Sequence, residues 1–329
     1  MKIEISKLTN LAISKLIEIG FQKEEAEIVA LHLVEAELLG KKGHGISRIK
    51  HFKDKLGSEM FDPNSPEPVI EKETSVSLRV NGYSRSGIYT IEKFLEYAIE
   101  NAKQVGMYSV ASTFGVNSGS IGIYARKAVE KDLIFIGFHN SSGGLIPHGA
   151  IKDIWGTNPL TIGIPSKEDP FILDFASTKI TYGDILQALK QNKDLPTGTI
   201  LDEKGNPSNK PEDGWNGGLL AMAEHKGSGL GMAVELLAGA LSLSRVGYNT
   251  KGGWGSFFIL INPEIFRPIY EFKEVVDQAI IELKSLPKAD GVDEIYYPGE
   301  KSLKMRNKAM ENGTLDLDED THALLVNKL

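Results

Sequence analysis

Two apolar runs, PLTIGIP (159–165) and FILDFAS (171–177), stand only a few residues apart. Parallel neighbours in a sheet need a crossover of a dozen or more residues, usually a helix. These two strands must therefore pair antiparallel or lie in different sheets, which excludes a simple doubly wound parallel sheet. Around them, strands and helices alternate. TSVSLRVNG, MYSVAST, LIFIGFH and GSFFILINPEIF read as strands. IYTIEKFLEYAIENAKQVG, IYARKAVEK, YGDILQALKQ and FKEVVDQAIIELKSL read as helices, the first closed by glycine. The first 40 residues carry two apolar stripes at helical spacing, and Gly40 ends the second. The Pro-rich FDPNSPEPVI is expected to be a linker, and the Gly/Asn/Pro-rich stretch 202–218 a loop. The terminal LDLDEDTHALLVNKL reads as a short docking helix capped by Asp320 or Thr321. The mixed order predicts an α/β fold with a mixed or antiparallel sheet.

At 329 residues the chain makes one large or two modest domains. It has no cysteine, which removes disulfides, thiolate nucleophiles and cysteine-ligated metals together. A formal charge of −7 with mixed signs argues against nucleic acid as a partner. No segment approaches the length of a membrane span, and MKIEISKLTN lacks a signal-peptide core. The expectation is a soluble cytoplasmic enzyme with no membrane partner. No metal-ligand spacing is present.

The stretch EHKGSGLGMAVELLAGALS (224–242) places Gly227, Gly229 and Gly231 at alternate positions before an apolar helix. A Rossmann turn follows a buried strand and is closed about 20 residues later by an acidic residue. The preceding LLAMAEHK is not such a strand, and no such acid is evident. What remains is His225 and Lys226 on a flexible turn at a helix start, where free N–H groups and the helix dipole favour an anion.

His44 lies between two glycines in KKGHGISRIKHF, with Arg48 four residues on. If that stretch is helical the two share a face. A guanidinium grips a carboxylate with two prongs while an imidazole exchanges a proton at the neighbouring oxygen, so the pair suits a keto or hydroxy acid. The bland alternative is a polar turn with a surface arginine. His51 and His322 read as surface residues, and His32 as structural. Asn117 in FGVNSGSIG and Asn140, Ser141 and His148 in HNSSGGLIPHGA sit in loops at strand ends, where ligands are commonly held. In GTNPL, Pro159 is expected to push Asn158 toward extended backbone. Asp174 ends an apolar strand, placed either to bond a ribose hydroxyl or to cap the next segment. Lys301 and Arg306 could meet a phosphate or carry solvated charge.

Taken together, HGISR (44–48), HNSS (139–142), PHGA (147–150), GTNPL (156–160), LDFAS with YGDI (173–185), HKGSG (225–229) and PGEKS (298–302) resemble the malate/L-lactate dehydrogenase family. That family includes sulfolactate and ureidoglycolate dehydrogenases, and its diketogulonate reductase branch looks closest. The resemblance runs nearly end to end. It implies a non-Rossmann NAD(P)-binding domain over about 74–264. A helical region of 1–73 and 265–329 would serve dimerisation and the substrate side, its N-terminal and C-terminal parts packed together. It implies a homodimer and a nicotinamide cofactor, with NADH favoured. The cofactor would meet Pro170, Phe171, Ile172, Leu173, Asp174, Phe175 and Ala176, then His225 and Lys226, then Gly299, Glu300 and Lys301. His44 would be the proton donor and Arg48 would belong to the substrate pocket; Asn117, Asn140 and His148 are, from their loop positions, the further candidate substrate contacts.

Two departures stand out. Many members have Ser-His-Gly where this chain has Gly43-His44-Gly45, and many carry a histidine where Asn117 stands. An amide holds an oxygen by hydrogen bonds but exchanges no proton near neutral pH. Either His44 carries the proton, or His148 substitutes, or redox activity is lost; the leading expectation, with His44 in that role, is an NAD(P)H-dependent oxidoreductase of 2-oxo and 2-hydroxy acids. The alternative is a catalytically altered nucleotide-binding member with a regulatory role.

Overall fold

The computed structural model describes residues 1–248 and 253–327; the last two residues of the terminal segment, Lys328 and Leu329, lie outside these. Ten helices are used below: Ile5–Ile19 (α1), Lys23–Leu38 (α2), Arg48–Lys55 (α3), Gly87–Val105 (α4), Ile121–Val129 (α5), Tyr182–Gln191 (α6), His225–Val234 (α7), Ile269–Ser285 (α8), Glu300–Asn312 (α9) and Glu319–Val326 (α10). A seven-stranded sheet is built from Val69–Thr74 (β1), Ser77–Asn81 (β2), Met107–Phe114 (β3), Ile134–His139 (β4), Leu160–Ile164 (β5), Phe171–Phe175 (β6) and Trp254–Ile261 (β7). Its spatial order is β1-β2-β3-β7-β4-β5-β6.

The short spacing of PLTIGIP and FILDFAS has the expected consequence: β5 and β6 pair antiparallel, with Ile162 opposite Leu173. Only β2 and β3 run parallel, and α4 supplies their crossover. The sheet is thus mixed and mostly antiparallel. One core fills the space between the sheet and α4 and α5, with Val110, Phe114, Tyr124 and Leu260 almost fully buried and Phe135 stacked on Phe258 at 5.4 Å. Each such side chain contributes roughly 1.5–3 kcal/mol by leaving water. A second core joins the two ends of the chain. Leu8, Leu16, Leu33 and Phe52 meet Leu317 and Leu325, and Lys2–Glu4 pairs antiparallel with Thr314–Asp316. Phe21, Phe52 and Phe61 form a ring triad with each pair of centroids at 5.1 Å. Arg85 ties this layer to the sheet, its buried guanidinium 2.7 Å from Glu25 and 2.9 Å from Glu67.

Several local expectations are corrected. The end of FDPNSPEPVI is not linker: Val69–Thr74 is a wholly exposed edge strand that pairs with β2. The stretch 202–218 contains a helical turn at Pro211–Asn216, and Pro207–Ser208 joins a small second sheet with Ile200–Leu201, Gly218–Leu220 and Leu145–Ile146. The cap of α10 is Asp318, which accepts from the Thr321 N–H at 2.9 Å, and neither Asp320 nor Thr321 fills that role. Asn158 is not extended. Its φ is 36°, held there by its amide donating to Gly231 O and to the Glu235 carboxylate. Asparagine tolerates the left-handed region better than most residues, and these tertiary bonds override the bias of the following proline.

Candidate active site

The turn carrying His44 is shaped by its neighbours on both sides. Lys42–His44 is a single 3-10 turn between α2 and α3. Glu37, near the end of α2, accepts from the Ile46 N–H at 2.9 Å, and a Cβ at Gly45 would fall 2.2 Å from that same carboxylate oxygen. On the other side, a Cβ at Gly43 would come within 3.4 Å of the Gly183 Cα at the start of α6. Gly45 therefore lets the Glu37 side chain of α2 close on the turn, while the start of α6 stands at ordinary contact distance from Gly43. Arg48 is the first residue of α3, so it and His44 do not share a helical face as the spacing suggested. The guanidinium instead folds back, and its Nε donates to Gly43 O at 2.6 Å. Burial, and then the Arg48 charge, hold the His44 imidazole well below its usual range, against the opposing pull of Asp174. Near neutral pH the ring is uncharged.

Asn117 lies in the loop between β3 and α5. Its φ is 64°, a conformation asparagine adopts readily, and it is almost fully buried. Its Oδ1 accepts from the Gly119 N–H at 3.1 Å, which leaves the Nδ2 donors enclosed and without a partner. The hydroxyl of Ser120 is enclosed and unpartnered as well. His32 props this loop from α2. Its Nε2 accepts from the Ser120 N–H at 3.0 Å while Nδ1 points at Glu92, 3.3 Å away. Those two bonds fix one neutral tautomer, with the proton on Nδ1. His32 is structural, as its sequence context suggested.

The three segments assigned to a cofactor by resemblance are contiguous. Ile172 N donates to Pro298 O, so Pro170–Ala176 lies against the turn before α9. At the other end of β6, Met222 N donates to Ser177 O in front of the His225–Lys226 turn. A Cβ at Gly227 would stand 2.1 Å from Met222 O and 2.8 Å from Ser177 O, so that turn packs directly on the end of the strand. Between β6 and the His44 turn lies a cavity of about 220 Å³, lined by Lys41, Ser120, Gly122, Arg126, Asp174 and Gly299 among others. Asp174 joins its walls: it pairs with Lys41 at 2.9 Å and accepts from Thr161 at 2.9 Å and from the Gly122 N–H at 3.3 Å. Both its oxygens are engaged within the protein.

Other residues singled out in the sequence stand differently. Asn140 is a buried strut, its amide donating to Arg245 O and accepting from Gly255 N, so it offers no free donor comparable to that of Asn117. His148 is exposed, 6.3 Å from the ring of His225, and its N–H donates to Ser228. Glu300 is buried with its carboxylate on Lys284 and Lys304, while Lys301 packs over the Tyr296 ring at 5.4 Å. Arg306 is paired with Glu35 at 2.5 Å and does not face an open phosphate site.

Two histidines beside the site do not stand out in the sequence. His51 is no surface residue. Its Nε2 is enclosed without a partner, its ring lies 6.4 Å from Trp254, and burial followed by the Arg48 charge brings its pKa down to about 4. His139 ends β4 with both ring nitrogens enclosed and unpartnered, stacked on Tyr124, and burial brings it down to about 3. Its folded value is below the unfolded 6.5, so between those values the unfolded chain binds the extra proton and stability falls as pH drops. His139→Phe is expected to flatten that fall by up to about 1.4 kcal/mol per pH unit. Urea denaturation from neutral to acid pH measures it, and an unchanged slope would show that His139 is charged in the fold.

The geometry fits a dinucleotide. Enclosed donors without partners, at Asn117 and Ser120, can serve amide or hydroxyl groups; at the α7 start the N–H groups of Lys226, Gly227 and Ser228 already donate to Ala223, Met222 and Glu224 carbonyls, which leaves the Lys226 side chain as the group for an anion there. A model of malate/L-lactate dehydrogenases matches residues 3–326. The chain belongs to this family. L-sulfolactate dehydrogenase of Methanocaldococcus jannaschii is 33% identical over 320 residues, covering 95% of this chain and 92% of the relative. Ureidoglycolate dehydrogenase (NAD(+)) of Escherichia coli K12 is 28% identical over 99% of this chain and 95% of its own length. The crystal structure of malate dehydrogenase from Entamoeba histolytica superposes with a TM-score of 0.92, at 28% identity over 99% of this chain and 96% of that one. The protein is an oxidoreductase of this family, a nicotinamide-dependent 2-hydroxy acid dehydrogenase that interconverts 2-oxo and 2-hydroxy acids. Among the described residues no helix is long and apolar enough to cross a membrane, and no acidic or histidine cluster could hold a metal ion.

Proposed function

We propose that His44, Arg48 and Asn117 form the reacting centre for a 2-oxo acid. The observation that carries this is the enclosed, unpaired Nδ2 of Asn117, taken with the neutral His44 imidazole and the Arg48 guanidinium folded back onto the His44 turn. Arg48 grips the substrate carboxylate. Asn117 donates to the carbonyl oxygen and steadies the charge that grows there, in a site where water does not compete. His44 delivers the proton to that oxygen in reduction and removes it in oxidation. The cofactor supplies or accepts the hydride at C2. Pro170–Ala176, His225, Lys226 and Gly299 are assigned to its binding, with NADH as the working partner after the resemblance. Glu300 and Lys301 contribute there through backbone, since their side chains are engaged elsewhere.

Because Arg48 helps keep His44 neutral, a bound carboxylate relieves that repulsion and lets the ring take up a proton. Reduction, which needs the charged ring, should gain in kcat/KM as pH falls between about 8 and 5. Oxidation, which needs the neutral ring, should hold its plateau through neutral pH and fall only well below 6.5, the ring's ordinary value. Steady-state profiles in both directions check this. A reduction rate indifferent to pH over that range contradicts the role of His44.

A cytoplasmic homodimer is the assembly that accords with this reading. Helix α8 buries none of its residues within the chain and exposes Tyr270, Val275 and Ile281. The division into a sheet unit near 74–264 and a helical unit of the two ends follows the two main cores in part, with Ile88, Tyr89 and Val116 of the sheet unit packing into the core of the chain ends. The test of function is oxidation of NADH and NADPH in the presence of pyruvate, oxaloacetate, sulfopyruvate and diketogulonate. Turnover with one of them supports the reading and ranks the substrate's side group. Tight dinucleotide binding with no turnover on any of them would favour the nucleotide-binding alternative, for which the exchange of a histidine for Asn117 is the motive.

A further inference from the structure

Arg126 is the one charged cavity-lining residue that is buried with an enclosed, unpartnered group among the described residues. It lies one turn into α5 from Gly122 and is 7% exposed. Its Nε is enclosed without a partner, and its guanidinium makes no hydrogen bond or ion pair with any described residue. The nearest candidate, Glu35, is already claimed by Arg306 at 2.5 Å. Glu130 and Asp169 act on it only from a distance. A guanidinium is costly to bury unpaired, so a buried one facing a cavity marks a place for an anion.

The opposite wall of that cavity supports the same conclusion. It is formed by Pro298, Gly299 and Ser302, the start of the 13-residue helix α9. No side chain caps that helix; its first N–H, that of Glu300, donates to Tyr297 O at 3.2 Å, and the positive end of its dipole beyond it favours an acceptor. Lys41 supplies a second cation on the rim, partly neutralised by Asp174.

We propose that Arg126, with the start of α9, receives a phosphate group of the dinucleotide. This rests on the cofactor assignment above and extends it to a residue outside the segments given by resemblance. Two phosphates of the ligand have this chemistry. A ribose 2′-phosphate, present only in NADP, carries up to two charges and three acceptors for the fork of an arginine. The bridging pyrophosphate is common to NAD and NADP, and Lys226, assigned to the cofactor above, is a second cation for it.

The test is calorimetric titration of the full-length protein and of Arg126→Gln with NAD⁺ and with NADP⁺, with Arg126→Lys as a charge-retaining control. If the 2′-phosphate sits here, Arg126→Gln weakens NADP⁺ at least tenfold and leaves NAD⁺ within twofold. If the pyrophosphate does, both weaken alike by about tenfold. In either case Arg126→Lys recovers part of the loss, and the salt dependence of binding drops by about one charge. The melting temperature of ligand-free Arg126→Gln should stay level or rise, because an unpaired buried charge has been removed; a structural arginine would lower it. Unchanged affinity for both dinucleotides in a variant that melts like the parent overturns the proposal. Failure of the parent itself to bind either dinucleotide would instead overturn the cofactor assignment, so the two failures are distinguishable.

Discussion

His44→Asn is expected to lower kcat by about two to four orders of magnitude while leaving dinucleotide affinity within twofold. General acid–base groups contribute on that scale, and an amide cannot exchange a proton near neutral pH. The variant is a clean one structurally. The turn is held by Glu37 on Ile46 and by Arg48 on Gly43, and neither bond involves the imidazole. Asparagine is also smaller than histidine, so the site admits it without rearrangement. Stopped-flow binding and steady-state turnover separate the two effects. A variant with parental turnover removes His44 from the chemistry and leaves the proton to solvent or to His139.

Arg48→Lys is expected to lower kcat/KM by about two to three orders of magnitude, with most of the loss in KM. Two separate contacts fail together. The two-pronged grip on the carboxylate becomes a single point charge, and hydrogen bonds to charged groups carry roughly 1.5–3 kcal/mol each. The Nε bond to Gly43 O also disappears, and with it one of the two anchors of the His44 turn. The variant keeps its positive charge, so a purely electrostatic role would survive the exchange. Parental kcat/KM on a 2-oxo acid would show that the carboxylate is held elsewhere.

Much of the architecture was legible because it followed from spacing. The short gap between β5 and β6 excluded parallel pairing of the two, and glycines at helix ends marked boundaries. What escaped was decided by tertiary contact. Val69 and Ile70 read as the end of the Pro-rich linker because an edge strand exposed on both faces has no apolar alternation to reveal it. Asn158 defied its proline because Gly231 and Glu235, more than 70 residues on, hold its side chain. In the site, His44 and Asn117 could be singled out from loop context and resemblance, yet the unpaired Nδ2 that gives Asn117 its chemistry is visible only once Gly119 is seen to occupy its Oδ1. His51 sits in the hydrophilic RIKHFKDK, and nothing local indicates that Trp254 encloses it. Arg126 is the extreme case. A basic residue in an amphipathic helix reads as solvated, and its meaning lies in the partners it lacks.

The central claim, that hydride passes between the nicotinamide and C2 of a 2-oxo acid in the cleft of His44, Arg48 and Asn117, is tested most directly with deuterium. The enzyme would be given a 2-oxo acid and reduced cofactor labelled with deuterium at the transferring position of the nicotinamide, and the product examined by NMR. The account predicts a 2-hydroxy acid with deuterium on C2, formed at a rate that collapses in His44→Asn. Cofactor bound but unconsumed, or consumed with no deuterium on C2, would contradict it.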